Sequence, residues 1–155
     1  MHYYFKNEIS EETINSLISV LSSTDDKIEL WFTTNGGCTS SMEFLIEYLN
    51  LNKNRIKITL SNRVLSAGTF ILLDFEGDIK IKNLDFVTFH LADRESYTLR
   101  KDKHLKKLSK MDWEYNLKIA EKIKNKNLLN EKQLKKLLKG KDVTIYKKQI
   151  EEWKI

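Results

Sequence analysis

Ser66 stands where a hydroxyl could act as a nucleophile. Ala67 and Gly68 follow it, so little side-chain bulk obstructs approach to its oxygen or to the next backbone amide. The segment from Ser66 to Phe75 reads as an apolar helix opening directly after a strand. The dipole of such a helix adds partial positive charge where a tetrahedral intermediate would develop negative charge. The plainer role for the same serine is an N-cap. Gly36 and Gly37 free the backbone for positive φ, and amide protons turned outward at a helix start make a local anion site suited to an oxyanion. A strand-to-helix turn that simply needs glycine explains the same pair. His90 ends the apolar stretch Phe86-Val87-Thr88-Phe89, whereas His2 and His104 lie in a terminal strand and a lysine-rich helix. Imidazole is the natural base for a serine hydroxyl at neutral pH, although a lone histidine at a strand end is commonly structural. Asp142 falls between Gly140 and Val143, on a loop from which it could point inward or remain an ordinary surface aspartate.

The elements that must position these residues alternate between strand and helix. Met1 to Phe5 has β propensity, and Ser10 then precedes Thr13, Ile14, Leu17, Ile18 and Leu21 at helical spacing. Ser10 is a plausible N-cap, with Glu11 and Glu12 in the first turn where the dipole favours anions. The helix is expected to stop between Ser22 and Asp26. Ile28 to Phe32 follows as a strand, Asn35-Gly36-Gly37 breaks it, and Met42, Leu45, Ile46 and Leu49 mark a second helix. The pattern recurs with a strand from Ile56 to Leu60, a short polar loop, and the helix that opens at Ser66. Beyond Glu76-Gly77, Asp78 to Ile81 and Phe86 to Phe89 read as two short strands separated by a turn at Lys82-Asn83. A long helix is expected from about Lys103 to Lys126, its apolar stripe formed by Leu105, Leu108, Met111, Tyr115, Ile119 and Ile123. Alternation of this kind implies a parallel sheet, in which ligands collect beyond the carboxyl ends of the strands. The glycine turn, the Ser66 helix start and His90 all fall at such ends.

Composition bounds the function. At 155 residues and 41% hydrophobic content, the chain suits one compact domain. Its single cysteine, Cys38, cannot form an internal disulfide, and no N-terminal run has the form of a secretion signal. Cytoplasmic location is the default expectation. The longest apolar runs, such as Phe70 to Phe75, are too short to cross a bilayer, so no membrane partner is expected. Lysine and arginine total 27 against 22 acids, and the excess crowds the stretch from Lys101 to Lys148. Acids such as Asp112, Glu114, Glu121 and Glu131 are interspersed there and no aromatic platform accompanies the lysines, so solvated helix faces explain the charge better than nucleic acid does.

Taken in order, the glycine pair, the Ser-Ala-Gly run, the histidine and the aspartate resemble one known arrangement, that of the Clp proteolytic subunit. The family runs from a hydrophobic strand into Asn-Ser-Pro-Gly-Gly; here Ile28 to Phe32 leads into Thr33-Thr34-Asn35-Gly36-Gly37. Its nucleophile lies in Ser-Met-Gly-Ala-Phe-Leu-Leu or similar, and Ser66-Ala67-Gly68-Thr69-Phe70-Ile71-Leu72 is alike. Its base follows a short strand as Met-Ile-His, against Thr88-Phe89-His90, and its acid lies in an Arg-Asp pattern, against Lys141-Asp142-Val143-Thr144-Ile145. The resemblance covers nearly the whole chain. It implies an α/β, ClpP/crotonase-like fold of parallel ββα units, with a head at about residues 1–92 and 138–155 and a protruding handle helix at about 103–126. It also implies a serine endopeptidase in which Ser66 attacks, His90 transfers the proton, Asp142 orients the imidazole, and the amides of Gly37 and Ala67 bind the oxyanion. The substrate implied is a peptide or unfolded protein, cleaved within a homo-oligomer of rings or stacked rings, with no metal or cofactor.

Two departures carry expectations of their own. Asn35 replaces the family's turn proline and does not fix φ, so a looser substrate platform is expected. The chain begins at the first strand, without the segment that forms the family's axial loops, and stops at Trp153-Lys154-Ile155, which argues against a Clp ATPase partner. The alternatives are a catalytically silent scaffold or regulatory subunit, a basic nucleic-acid-binding protein, and an acyl-CoA enzyme on the crotonase-like fold. One fold hosts many chemistries, so fold alone does not separate these.

Overall fold

The computed structural model describes residues 1–91 and 103–153, with side chains in the second stretch from residue 112 onward. Two compact units emerge from the contacts, one comprising Met1–Thr88 with Thr144–Ile155 and the other Phe89–Val143.

The first unit is built on a five-stranded sheet in the order β1-β2-β3-β4-β5. The strands are β1 (His2–Phe5), β2 (Ile28–Thr34), β3 (Ile56–Leu65), β4 (Ile79–Phe89) and β5 (Val143–Tyr146). The first four run parallel in register, with Phe5 beside Phe32, Phe32 beside Leu60, and Leu60 beside Ile81. Along β2 the burial alternates with the pleat: Ile28, Leu30, Phe32 and Thr34 are buried, while Glu29, Trp31 and Thr33 are half-buried on the opposite face. The helices α1 (Glu11–Ser22) and α2 (Thr39–Leu51) bury Ile14, Leu17 and Leu21, and Met42, Leu45 and Leu49. Ser10 caps α1 as its position suggested, accepting from the Thr13 amide while the Thr13 hydroxyl accepts from the Ser10 amide. Arg55 joins the two helices to β3. Its Nε donates to Asn52, Nη1 to the Thr24 carbonyl, and Nη2 to the Leu21 carbonyl and the Tyr48 hydroxyl.

Three elements differ from their sequence-based outlines. The strand expected to end at Leu60 continues to Leu65, so the polar loop after it is strand instead, with Ser61 buried and Asn62 at φ +55°. The two short strands expected before His90 are one, β4, and the expected turn at Lys82-Asn83 is an irregularity within it. Asn83 has φ +54°, and the register between β3 and β4 slips from Leu60 beside Ile81 to Asn62 beside Leu84 and Arg63 beside Phe86. Asparagine tolerates the left-handed conformation at little cost, so a sequence that looks like a turn is absorbed as a bulge. The helix expected from Ser66 to Phe75 is a 3₁₀ turn, Ser66–Thr69, followed by the five-residue α3, Phe70–Asp74.

In the second unit α4 (Lys103–Asn125) packs against α5 (Glu131–Leu138), whose N-cap Asn130 forms a reciprocal box with Gln133. Within α4 the buried line runs through Asn116, Ala120 and Ile123. The expected stripe shares only Ile123 with it; Tyr115 is exposed and Ile119 half-buried, while the side chains of Leu105, Leu108 and Met111 lie outside those described. The small Ala120 permits close approach on a face one residue round from the one that hydrophobicity alone selects. A last short helix, α5's successor α6 (Lys147–Ile150), belongs to the first unit. Among the described residues no helix is long and apolar enough to cross a membrane.

Candidate active site

At the carboxyl end of β2 the chain must turn sharply into α2, and two other segments, the loop before α1 and β3, help to hold that turn. Thr34 is buried; its hydroxyl donates to the Asn7 carbonyl at 2.8 Å and accepts from the Gly36 amide at 3.0 Å. Ile9, in the loop before α1, donates its amide to Gly36 O and accepts from Cys38 N, both at 2.8 Å, forming an isolated parallel bridge with Gly37. Gly36 and Gly37 have φ +97° and +141°, both in the region that favours glycine. The Gly37 amide, which lies between these two bonds, has no acceptor among the described residues. Arg63 braces the turn from β3, its Nε donating to Asn35 Oδ1 at 2.6 Å. The looser platform expected from an asparagine in the proline position is thus countered by a side-chain bond.

β3 ends beside this turn. Leu65 is still extended at φ −122°, and Ser66 swings to φ +55° to enter the 3₁₀ turn, whose Thr69 hydroxyl donates back to the Ser66 carbonyl at 2.7 Å. Of the non-glycine residues with positive φ among those described, Asn62, Asn83 and Asn127 are asparagines and only Ser66 is not. Outside Gly, Asn and Asp this conformation costs about 1 kcal/mol or more. Gly36 lies directly against the serine: a Cβ on Gly36 would stand 2.5 Å from Ser66 Cβ, 2.8 Å from Leu65 O and 3.2 Å from Ser66 Oγ. Ala67 is buried in the first turn, where the short helix supplies no acceptor for its amide. Gly68 has a packing reason of its own, since a Cβ there would collide with Thr34 Cγ2.

The structure therefore brings Ser66, Ala67, Gly36 and Gly37 together within the first unit. His90 and Asp142 belong to the second, where both are exposed, His90 immediately after β4 and Asp142 immediately before β5. Within the first unit, Leu65 is in register with Thr88, and the Thr88 and Thr144 hydroxyls lie 2.9 Å apart.

Sequence reasoning passed over Thr34, Ile9 and Arg63, none of which has a local signal. It also left Cys38 without a role beyond its redox implication. Cys38 is the exposed N-cap of α2, and its thiol pKa is lowered to about 7 by hydrogen bonds from the Ser40 hydroxyl, 3.1 Å away, and then from Ser41. A lowered thiol pKa means that thiolate, the reactive form, accumulates above about pH 7. Alkylation by iodoacetamide is expected to rise with pH around that midpoint, and Ser40→Ala to move the midpoint upward. A rate still climbing only above pH 8 in the unsubstituted protein would contradict the assignment of those hydrogen bonds.

No family model matches the chain, and no curated protein matches it in sequence. Among solved structures, a mutant of ClpP1 from Listeria monocytogenes is similar with a TM-score of 0.66, covering 97% of this chain and 85% of that one at 19% identity. At that identity the likeness establishes the fold, which is of the ClpP/crotonase-like α/β type.

Proposed function

We propose that the chain is a serine endopeptidase of the Clp proteolytic-subunit type, acting on peptides or unfolded proteins through Ser66, His90 and Asp142. Ser66 Oγ attacks the peptide carbonyl carbon as His90 takes the hydroxyl proton. The oxyanion is met by the amides of Gly37 and Ala67. His90 then gives its proton to the departing amine, leaving an acyl ester on Ser66. Water, deprotonated by the same imidazole, attacks that ester; His90 returns the proton to the departing Ser66 Oγ, which frees the acid product and restores the serine hydroxyl. Asp142 holds the imidazole tautomer. The scheme calls on no metal or cofactor.

The observation that carries this reading is the left-handed Ser66 at a strand end with the Gly36 backbone pressed against it. A strained serine on a sharp strand-to-helix turn is how a hydroxyl is lifted clear of its own backbone for attack. The direct test is a fluorophosphonate probe: a single adduct on Ser66 is expected, and an unmodified Ser66 after prolonged exposure counts against the reading.

The same proposal includes assembly into a homo-oligomer of rings or stacked rings. Its support is the exposure of single apolar residues on α4, Tyr115 at 36% and Leu117 at 42%, on different sides of the helix. Sedimentation at about 0.1 and 0.5 M salt, where screening differs severalfold, is expected to show association at both. A monomer with full activity contradicts it.

A further inference from the structure

Arg63 lies on β3 three residues before Ser66 and is exposed. Its Nε bond to Asn35 Oδ1 fixes the guanidinium plane beside the turn that leads into Gly36, and Gly36 touches Ser66. The two terminal nitrogens have no acceptor among the described residues. Arg55 provides the contrast, because its Nε and both Nη atoms are all engaged by carbonyls and side chains within the fold. Nor does Arg63 have a carboxylate: the ion pairs among the described residues join Lys53 to Glu76, Lys57 to Asp78 and His2 to Glu29.

A guanidinium held at Nε presents its free end as two parallel N–H donors, the spacing that matches both oxygens of a carboxylate. Being already oriented, it loses less side-chain freedom on binding than a mobile lysine would. Serving only as a brace for Asn35 would leave four N–H donors and a full charge unused at the rim of a peptide-cleaving site. We propose that Arg63 is a substrate-recognition residue that takes a carboxylate of the bound peptide, either an acidic side chain near the scissile bond or the peptide's own C-terminus. The inference rests on the peptidase reading of Ser66.

The experiment uses matched peptides with Glu against Gln at each position flanking the scissile bond, and with a free against an amidated C-terminus. Hydrolysis is measured for the unsubstituted protein, Arg63→Gln and Arg63→Glu, and binding of the same peptides to Ser66→Ala is read by fluorescence anisotropy. For one carboxylate position kcat/KM is expected to exceed that of the amide twin roughly tenfold, the effect of about one charge-assisted contact. The ratio falls to about one in Arg63→Gln and below one in Arg63→Glu, as expected when the charge-assisted contact is lost or reversed. Whichever pair of twins responds identifies the source of the carboxylate. If Arg63 merely braces Asn35, Arg63→Gln slows every peptide alike and leaves the ratio where it was, which overturns the proposal. Hydrolysis with no carboxylate preference overturns it too, while leaving the peptidase reading intact. Carboxylate-selective binding to Ser66→Ala that requires Arg63, with no hydrolysis by the unsubstituted protein, sustains Arg63 and removes the peptidase reading. Absence of both binding and hydrolysis overturns both.

Discussion

Ser66→Ala is expected to lower kcat for peptide hydrolysis by roughly four to six orders of magnitude, since removing the nucleophile of such a triad costs about as much as removing the whole set. It also abolishes fluorophosphonate labelling. Ser66→Gly is the more informative partner. Both variants lack the hydroxyl, yet glycine adopts φ +55° without the Cβ penalty that serine and alanine share. Ser66→Gly is therefore expected to be inactive and at least as stable as the unsubstituted protein, with a gain of up to about 1 kcal/mol in denaturant unfolding. An inactive protein that has become more stable is the mark of strain retained for function. A Ser66→Gly protein several degrees less stable would show that the serine side chain holds the fold together, and equal turnover by Ser66→Ala would end the nucleophile assignment.

The second large effect falls on stability. A Cβ on Gly37 would collide with the Ile9 carbonyl oxygen and stand 2.9 Å from both Ile9 C and Ile9 N, at a backbone φ of +141°. Those neighbours are main-chain atoms and cannot rotate away. Gly37→Ala is expected to cost about 3 kcal/mol or more, from the backbone conformation and the collision together. The measurement is urea unfolding by circular dichroism, and a midpoint unchanged from the unsubstituted protein would contradict the bridge to Ile9. Because the glycine is required by packing, its presence in the sequence is not by itself a sign of an oxyanion site. The proposed role calls on the Gly37 amide, which no main-chain acceptor among the described residues takes up.

The parts of the fold that local chemistry dictates were legible in the sequence: the Ser10 cap, the alternation along β2, the glycine turn and the parallel β-α order. Where the structure departs from the expected outlines, polar residues that resemble loop lie within strands. Ser61-Asn62-Arg63 and Lys82-Asn83 look like turns, yet asparagines at positive φ let β3 and β4 carry them as bulges. Strand pairing decided that, and pairing is not written in any short window. The buried face of α4 differs from the expected one because Asn116 is buried and Tyr115 is exposed, a choice that hydrophobicity alone does not make. At the site, residue types and order pointed to Ser66 and the glycines. The supporting contacts, from the Thr34 and Arg63 side chains and the Ile9 main chain, join residues 27 to 29 positions apart and leave no local trace.

The bridge from Ile9 to the glycine turn has a mechanical consequence. Among the described residues β1 is an edge strand, paired with β2 on one side, and only a few residues separate it from Ile9. Ile9 in turn grips Gly36 and Cys38 through two main-chain bonds. Tension on β1, or a strand from another molecule adding to its open side, would reach the amide of Gly37 through a single short tether. A load on this edge of the sheet is thus passed to the backbone of the glycine turn.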